Sequence, residues 1–144
     1  ARIWKGARQA LENNWTNAAF LRTRIEQIAH FFELGEVAEI WITFPDPFLK
    51  RGKENRRLTS PRFLEEYRKI LPSGGLIHLK TDSPELHAYT QEVLPNYPHA
   101  DILLDQDDIY REALVMPELE FKTYYEHMHL RDQKTIKYVR IGLR

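Results

Sequence analysis

The chain has 144 residues, 42% hydrophobic and 29% charged, with 21 basic residues balancing 21 acidic ones. That is the size and composition of one soluble globular domain with a real core. The absence of cysteine excludes disulfides, thiol catalysis and cysteine-based zinc sites, and no apolar run approaches the roughly 20 residues that cross a bilayer, so a cytoplasmic location is expected.

The chain opens in a helical pattern, with Ile3, Ala7, Ala10 and Leu11 at helical spacing. Lacking an initiator methionine, it is expected to continue from an upstream segment. Trp4 and Trp15 read as packing residues. Asn13 to Asn17 breaks the helix, Ala18 to Leu21 suits a short strand, and Ile25 to Leu34 reads as an amphipathic helix closed by Gly35. Ser60-Pro61 and Ser83-Pro84 each combine a serine N-cap with proline at the first helical position. The first is followed by an apolar face of Phe63, Leu64, Tyr67, Ile70 and Leu71, and the second is expected to run to Leu94, where Pro95 stops it. Between them, Pro72-Ser73-Gly74-Gly75 turns the chain and Leu76 to Leu79 reads as a buried strand ending at Lys80-Thr81-Asp82. Strands alternating with helices predict βαβ units and a mainly parallel sheet, with ligands at the carboxyl ends of the strands. In the last third, Asp101 to Pro117 is expected to have little regular structure. Leu119 to His129 and Thr135 to Leu143 have strand character, and Arg131 to Lys134 is turn-like, which predicts an antiparallel hairpin.

The segment from Glu39 to Pro61 carries the most chemistry. Ile40 to Phe44 suits a short buried strand, which Pro45 and Pro47 must end because neither can donate to a sheet ladder. Asp46, held extended by the proline after it, is thereby a carboxylate presented at a strand tip. Asp82 ends the next strand and is expected on the same rim. Beyond Asp46, Lys50, Arg51, Lys53, Arg56 and Arg57 stand against one anion, Glu54, whereas Asp101 to Glu120 holds seven carboxylates and one arginine. A local basic surface therefore survives the neutral total, and cations bordering a site suit a polyanionic substrate. Phe48 either packs or stacks on a base. His127 and His129 would share a strand face with no third ligand nearby, so no metal is expected.

These residues resemble the tRNA (guanine-N7)-methyltransferases of the single-chain bacterial type. The resemblance rests on Phe44-Pro45-Asp46-Pro47-Phe48-Leu49-Lys50, Arg56-Arg57-Leu58 with the Ser-Pro helix start, Leu71 to Gly75, Thr81-Asp82 and Thr123-Tyr124-Tyr125-Glu126, and it covers essentially the whole chain. It implies an α/β, Rossmann-like S-adenosylmethionine-dependent methyltransferase domain over residues 1–144. Its sheet would be mostly parallel with an antiparallel last strand, here a C-terminal hairpin, and incomplete at the N-terminus, where the first strand and glycine-rich loop would lie. It implies Asp46 as the active-site and cofactor-side carboxylate, with Asn17, Arg24 and Ile25 also on the cofactor side. Lys50, Asp82, Thr123, Tyr124, Tyr125 and Glu126 would engage the substrate, and Gly52, Lys53, Glu54, Asn55, Arg56 and Arg57 would contact RNA. Where many members carry an acidic residue seven positions after the asparagine, this chain has Arg24, so a contact to adenine there would come from backbone. The implied activity is methylation of guanine N7 in tRNA, with tRNA as partner, no membrane, and a monomer or homodimer. Two alternatives are a methyltransferase acting on an exocyclic amine, disfavoured because no second proline follows Pro45 directly, and a non-catalytic RNA-binding module.

Overall fold

The computed structural model describes residues 2–144. Four helices, α1 (Arg2–Glu12), α2 (Pro61–Arg68), α3 (Pro84–Val93) and α4 (Tyr124–Arg131), accompany four strands, β1 (Glu39–Thr43), β2 (Leu76–Thr81), β3 (Ala100–Gln106) and β4 (Lys137–Leu143). The strands form one sheet in the order β1-β2-β4-β3. Strands β1 and β2 pair in parallel, Glu39 opposite Leu76 through Thr43 opposite Lys80. Strand β4 enters antiparallel between β2 and β3.

The expected βαβ unit is present, since α2 connects the parallel pair. Both Ser-Pro starts open helices, although only Ser83 caps in the usual way, accepting from the Leu86 amide at 3.1 Å. The Ser60 hydroxyl instead donates to the Asn55 carbonyl at 3.2 Å and ties down the end of the basic loop.

Several expectations are corrected. No C-terminal hairpin forms, because residues 124–131 are helical; Thr123 and Glu126 make a reciprocal capping box that starts α4. The sheet is not mostly parallel by pairing: β1, β2 and β3 run one way, but the intervening β4 leaves only β1 and β2 in direct parallel contact. Residues 100–106 form a strand where an irregular excursion was expected. Residues 18–21 are not a strand, and the helix expected from Ile25 is a six-residue 3₁₀ segment, Ile25–His30. Trp4 and Trp15 are exposed rather than packed.

Side-chain alternation divides the core into two layers. Ile42, Ile77, Leu79, Val139 and Ile141 point to one face and pack with Phe63, Leu64, Tyr67 and Leu86 of α2 and α3. Trp41 and Tyr138 point to the other, where Ile109, Leu119, Ile136, Phe44, Leu104 and Leu130 cover them. Each fully buried Leu or Ile contributes about 1.5–3 kcal/mol relative to exposure. His78 and Lys80, in the alternate positions of β2, are also buried on this second side. The His78 ring stacks on Trp41 at 4.2 Å and hydrogen-bonds the Tyr138 hydroxyl at 2.7 Å and Glu39 at 3.0 Å. No helix among the described residues is long and apolar enough to cross a membrane.

Candidate active site

The parallel register brings the carboxyl ends of β1 and β2 to the same level, so Asp46 and Asp82 emerge on one rim. The chain leaves β1 through a tight, strained turn. The Phe44 amide still donates to the Lys80 carbonyl at 2.8 Å, but Phe44 takes φ +50° and Phe48 φ +44°, so two bulky residues in left-handed conformation bracket Pro45-Asp46-Pro47. Such strain costs about 1–3 kcal/mol per residue and persists where surrounding structure imposes it. One imposing contact is internal, the Phe48 amide donating to Asp46 Oδ1 at 2.9 Å. Among the described residues the other Asp46 oxygen has no hydrogen-bond partner, and the side chain is exposed.

Asp46 and Phe48 stand between two grooves. One, of about 440 Å³, is lined with Leu49, Lys50, Lys53 and Arg56; the other, of about 490 Å³, with Arg24, Ile25, Pro45, Leu58, Arg62 and Phe63. The fold thus brings Asp46 together with Lys50 and Lys53 on one side and with Arg24 and Ile25 on the other, and Arg56 lines both grooves. Lys50, Gly52, Lys53, Asn55 and Arg56 are exposed along the loop, where Gly52 takes φ +75°. Asn17 is exposed in the segment after α1 and lines neither groove. Phe48 is half-buried with an open flank on both grooves, and Arg57, unlike its neighbours, is buried.

Asp82 faces a third groove, of about 460 Å³, fronted by Pro47 and Leu49 and backed by Lys134 and Lys137. Its carboxylate accepts from Lys134 Nζ at 2.7 Å and lies 3.3 Å from His129 Nδ1, and this hydrogen bond holds the Lys134 ammonium above its usual pKa. His129 also meets the Phe44 ring at 5.5 Å, so α4 borders the same rim. Its first turn presents Tyr124, 73% exposed, and Tyr125, 38% exposed, as an edge-to-face pair 5.8 Å apart.

The pairing of two buried residues escapes a linear reading of the sequence. Lys80, at the end of β2, donates to the carbonyls of Leu119 at 3.2 Å and Phe121 at 3.3 Å and pairs with Glu126 Oε1 at 2.8 Å. Glu126 is fully buried and also accepts from the Tyr110 hydroxyl at 2.6 Å. Burial and this carboxylate push the Tyr110 phenol far above its ordinary pKa. Glu126 therefore faces inward, fixing α4 to the sheet, while Tyr124 faces out. The Thr123/Glu126 spacing signals the helix start; nothing local signals Lys80 as the partner, because 46 residues separate the two. Among the described residues no group of three or more His, Cys, Asp or Glu could hold a metal.

Residues 1–139 match the family model described as "Putative methyltransferase". Among curated relatives, a tRNA (guanine-N(7)-)-methyltransferase of Porphyromonas gingivalis is 50% identical over 146 residues, covering 99% of this chain and 58% of the relative. Proteins of the same name from Christiangramia forsetii and Bacteroides fragilis are 43% and 46% identical, covering 100% and 99% of this chain and 64% and 56% of their own lengths. The chain thus spans less than two thirds of the relatives it matches. With the model matching nearly end to end, this chain belongs to that methyltransferase family.

Proposed function

We propose that the full-length protein containing this chain transfers a methyl group from S-adenosylmethionine to N7 of a guanine in tRNA. The observation that carries the reading is Asp46: an exposed carboxylate, half committed to its own turn, held by a strained loop between a groove edged with Lys50, Lys53 and Arg56 and a groove whose apolar walls are rimmed by Arg24, Arg56 and Arg62.

Guanine N7 is an exposed acceptor with a free lone pair and no proton to lose. The reaction therefore asks for placement rather than a strong base, and placement supplies several kcal/mol of barrier reduction. The purine gains positive charge as N7 is alkylated, and a fixed carboxylate at the rim stabilises that charge and orients the base edge. Asp46 takes this role. Lys50, Lys53 and Arg56 hold backbone phosphates, with Gly52, Glu54 and Asn55 shaping the loop that presents them. Asp82, held by Lys134 and His129, and the exposed first turn of α4, from Thr123 to Tyr125, form the far wall of the substrate site; Glu126 acts through its contacts with Lys80 and the capping box.

The cofactor, when bound, supplies an electrophilic methyl group. The residues present fit part of it: Ile25, Leu58, Phe63 and Phe48 give apolar walls suited to an adenosyl moiety, Arg24 and Ile25 offer backbone, and Asp46 a free carboxylate oxygen. None of the six glycines lines that groove.

Nucleoside analysis of tRNA treated with the full-length protein and S-adenosylmethionine tests the reading. N7-methylguanosine is the expected product. An N-methylated exocyclic amine would instead support the amine-methylating alternative, and absence of cofactor binding by the full-length protein would reduce it to an RNA-binding module.

A further inference from the structure

Arg57 lies at the end of the cationic run, yet it is only 8% exposed. Its Nε donates to the Pro47 carbonyl at 2.9 Å and its Nη2 to the Phe48 carbonyl at 3.3 Å, two consecutive carbonyls of the turn that carries Asp46. The guanidinium carbon sits 4.4 Å from the centroid of the Tyr89 ring on α3. The backbone around Arg57 is equally committed: its amide donates to the Glu54 carbonyl at 3.0 Å and its carbonyl accepts from the Ser60 amide at 2.9 Å. Two residues on, the Thr59 hydroxyl meets that of Thr90 on α3 at 2.8 Å. A planar fork reaching two carbonyls while stacked on an aromatic ring is geometry that arginine supplies and lysine does not. Pro47 has no N–H, and the amide of Phe48 is taken by Asp46, so Arg57 supplies the side-chain bonds that join this turn to the helical layer.

We infer that Arg57 is a positioning residue that locks the Pro45-Asp46-Pro47 turn in its strained conformation, and not one of the cations that contact the nucleic acid. Its charge faces the peptide carbonyls and Tyr89, whereas Lys53 and Arg56 face solvent. The inference rests on the proposed role of Asp46 in methyl transfer. It adds that the basic run contains two functions: outward cations that gather the polyanion, and one inward cation that fixes the carboxylate. A misplacement of about 1 Å at a reacting group is enough to cost about a hundredfold in rate, so loosening this turn acts on turnover.

The test compares Arg57→Lys, Arg57→Ala, Tyr89→Leu and Arg56→Ala in the full-length protein. Three readouts are taken: the salt dependence of tRNA binding, kcat at saturating tRNA, and hydrogen–deuterium exchange of peptides spanning residues 44–50 and 76–81. Arg57→Lys and Arg57→Ala are expected to keep the wild-type salt slope, lower kcat by about ten- to a hundredfold, and speed exchange across 44–50 while leaving 76–81 protected. Tyr89→Leu moves the same readouts the same way by a smaller factor. Arg56→Ala lowers the salt slope by about one without changing exchange across 44–50. If Arg57→Ala fails to fold, Arg57→Lys and Tyr89→Leu decide. The inference is overturned if Arg57→Ala lowers the salt slope as Arg56→Ala does, or if Arg57→Lys leaves both kcat and the 44–50 exchange at wild-type values. Should the wild-type protein form no N7-methylguanosine, the proposed function fails, and the exchange data still decide whether Arg57 locks the turn.

Discussion

Replacing Glu126 with Gln leaves the shape of the second core nearly intact but removes the charge facing Lys80 Nζ at 2.8 Å. Both side chains are almost wholly inaccessible, at 2% and 0% exposure, so water cannot take over the lost interaction. The Leu119 and Phe121 carbonyls still solvate the ammonium in part. Breaking one member of a buried ion pair costs about 3–5 kcal/mol, because the partner remains as an uncompensated charge. With a urea m-value of about 2 kcal/mol/M, the unfolding midpoint should fall by about 1.5–2.5 M. Lys80→Met should cost a comparable amount. The double variant Lys80→Met/Glu126→Leu should cost clearly less than the two together, the coupling that double-mutant cycles measure between contacting residues. Glu126→Gln within about 0.5 kcal/mol of wild type, the range of ordinary surface substitutions, or strict additivity in the double variant, would refute the idea that this pair docks α4 onto the sheet.

Truncating Lys53 and Arg56 to Ala should each weaken tRNA binding across sequences and reduce the slope of log affinity against log salt by about one; filter-binding titrations from low to moderate salt would read this, and an unchanged slope would remove both from the phosphate-contact set. Stability should also depend on pH through His78. Burial is the largest influence on this imidazole and holds it below its usual value, against the opposing attraction of Glu39. The unfolded ring takes up a proton near pH 6.5 and the folded ring only at lower pH, so His78's contribution is complete above about 6.5 and is lost as pH falls through the folded value. Melting curves at pH values between about 7.5 and 5 should show this loss, and His78→Gln should flatten it; equal pH slopes in the two proteins would exclude His78 as the source.

What sequence reveals here is local, and what it hides is non-local. The Ser-Pro starts of α2 and α3 are legible because the proline at the first helical position acts locally at both, joined at α3 by the Ser83 cap. The end of β1 is legible because two prolines forbid its continuation. The C-terminal third is misread for a different reason. Tyr124 to Leu130 is rich in aromatic and apolar residues and looks strand-like, yet the capping box and the Lys80 contact make it helical. Strand β3 hides behind Asp101 and Asp105, charges suited to an edge strand. Their partners, Arg144 for Asp101 and His87 with Gln91 for Asp105, lie far away in the chain. Alternation along β2 is equally hidden, since His78 and Lys80 become interior residues only once Tyr138, Glu39 and Glu126 are folded against them. The position of Asp46 at the rim follows from local rules, whereas the inward turn of Arg57 becomes visible only when α3 brings Tyr89 beneath it.

The central claim, that Asp46 places the reacting base and stabilises developing charge instead of gripping the RNA, is tested most directly by Asp46→Asn in the full-length protein, measuring single-turnover methylation and tRNA affinity side by side. The account predicts a fall in rate of about a hundredfold or more, the scale of losing one electrostatic contact made in the transition state, with affinity changed by no more than a few-fold. Equal losses in rate and affinity would contradict it.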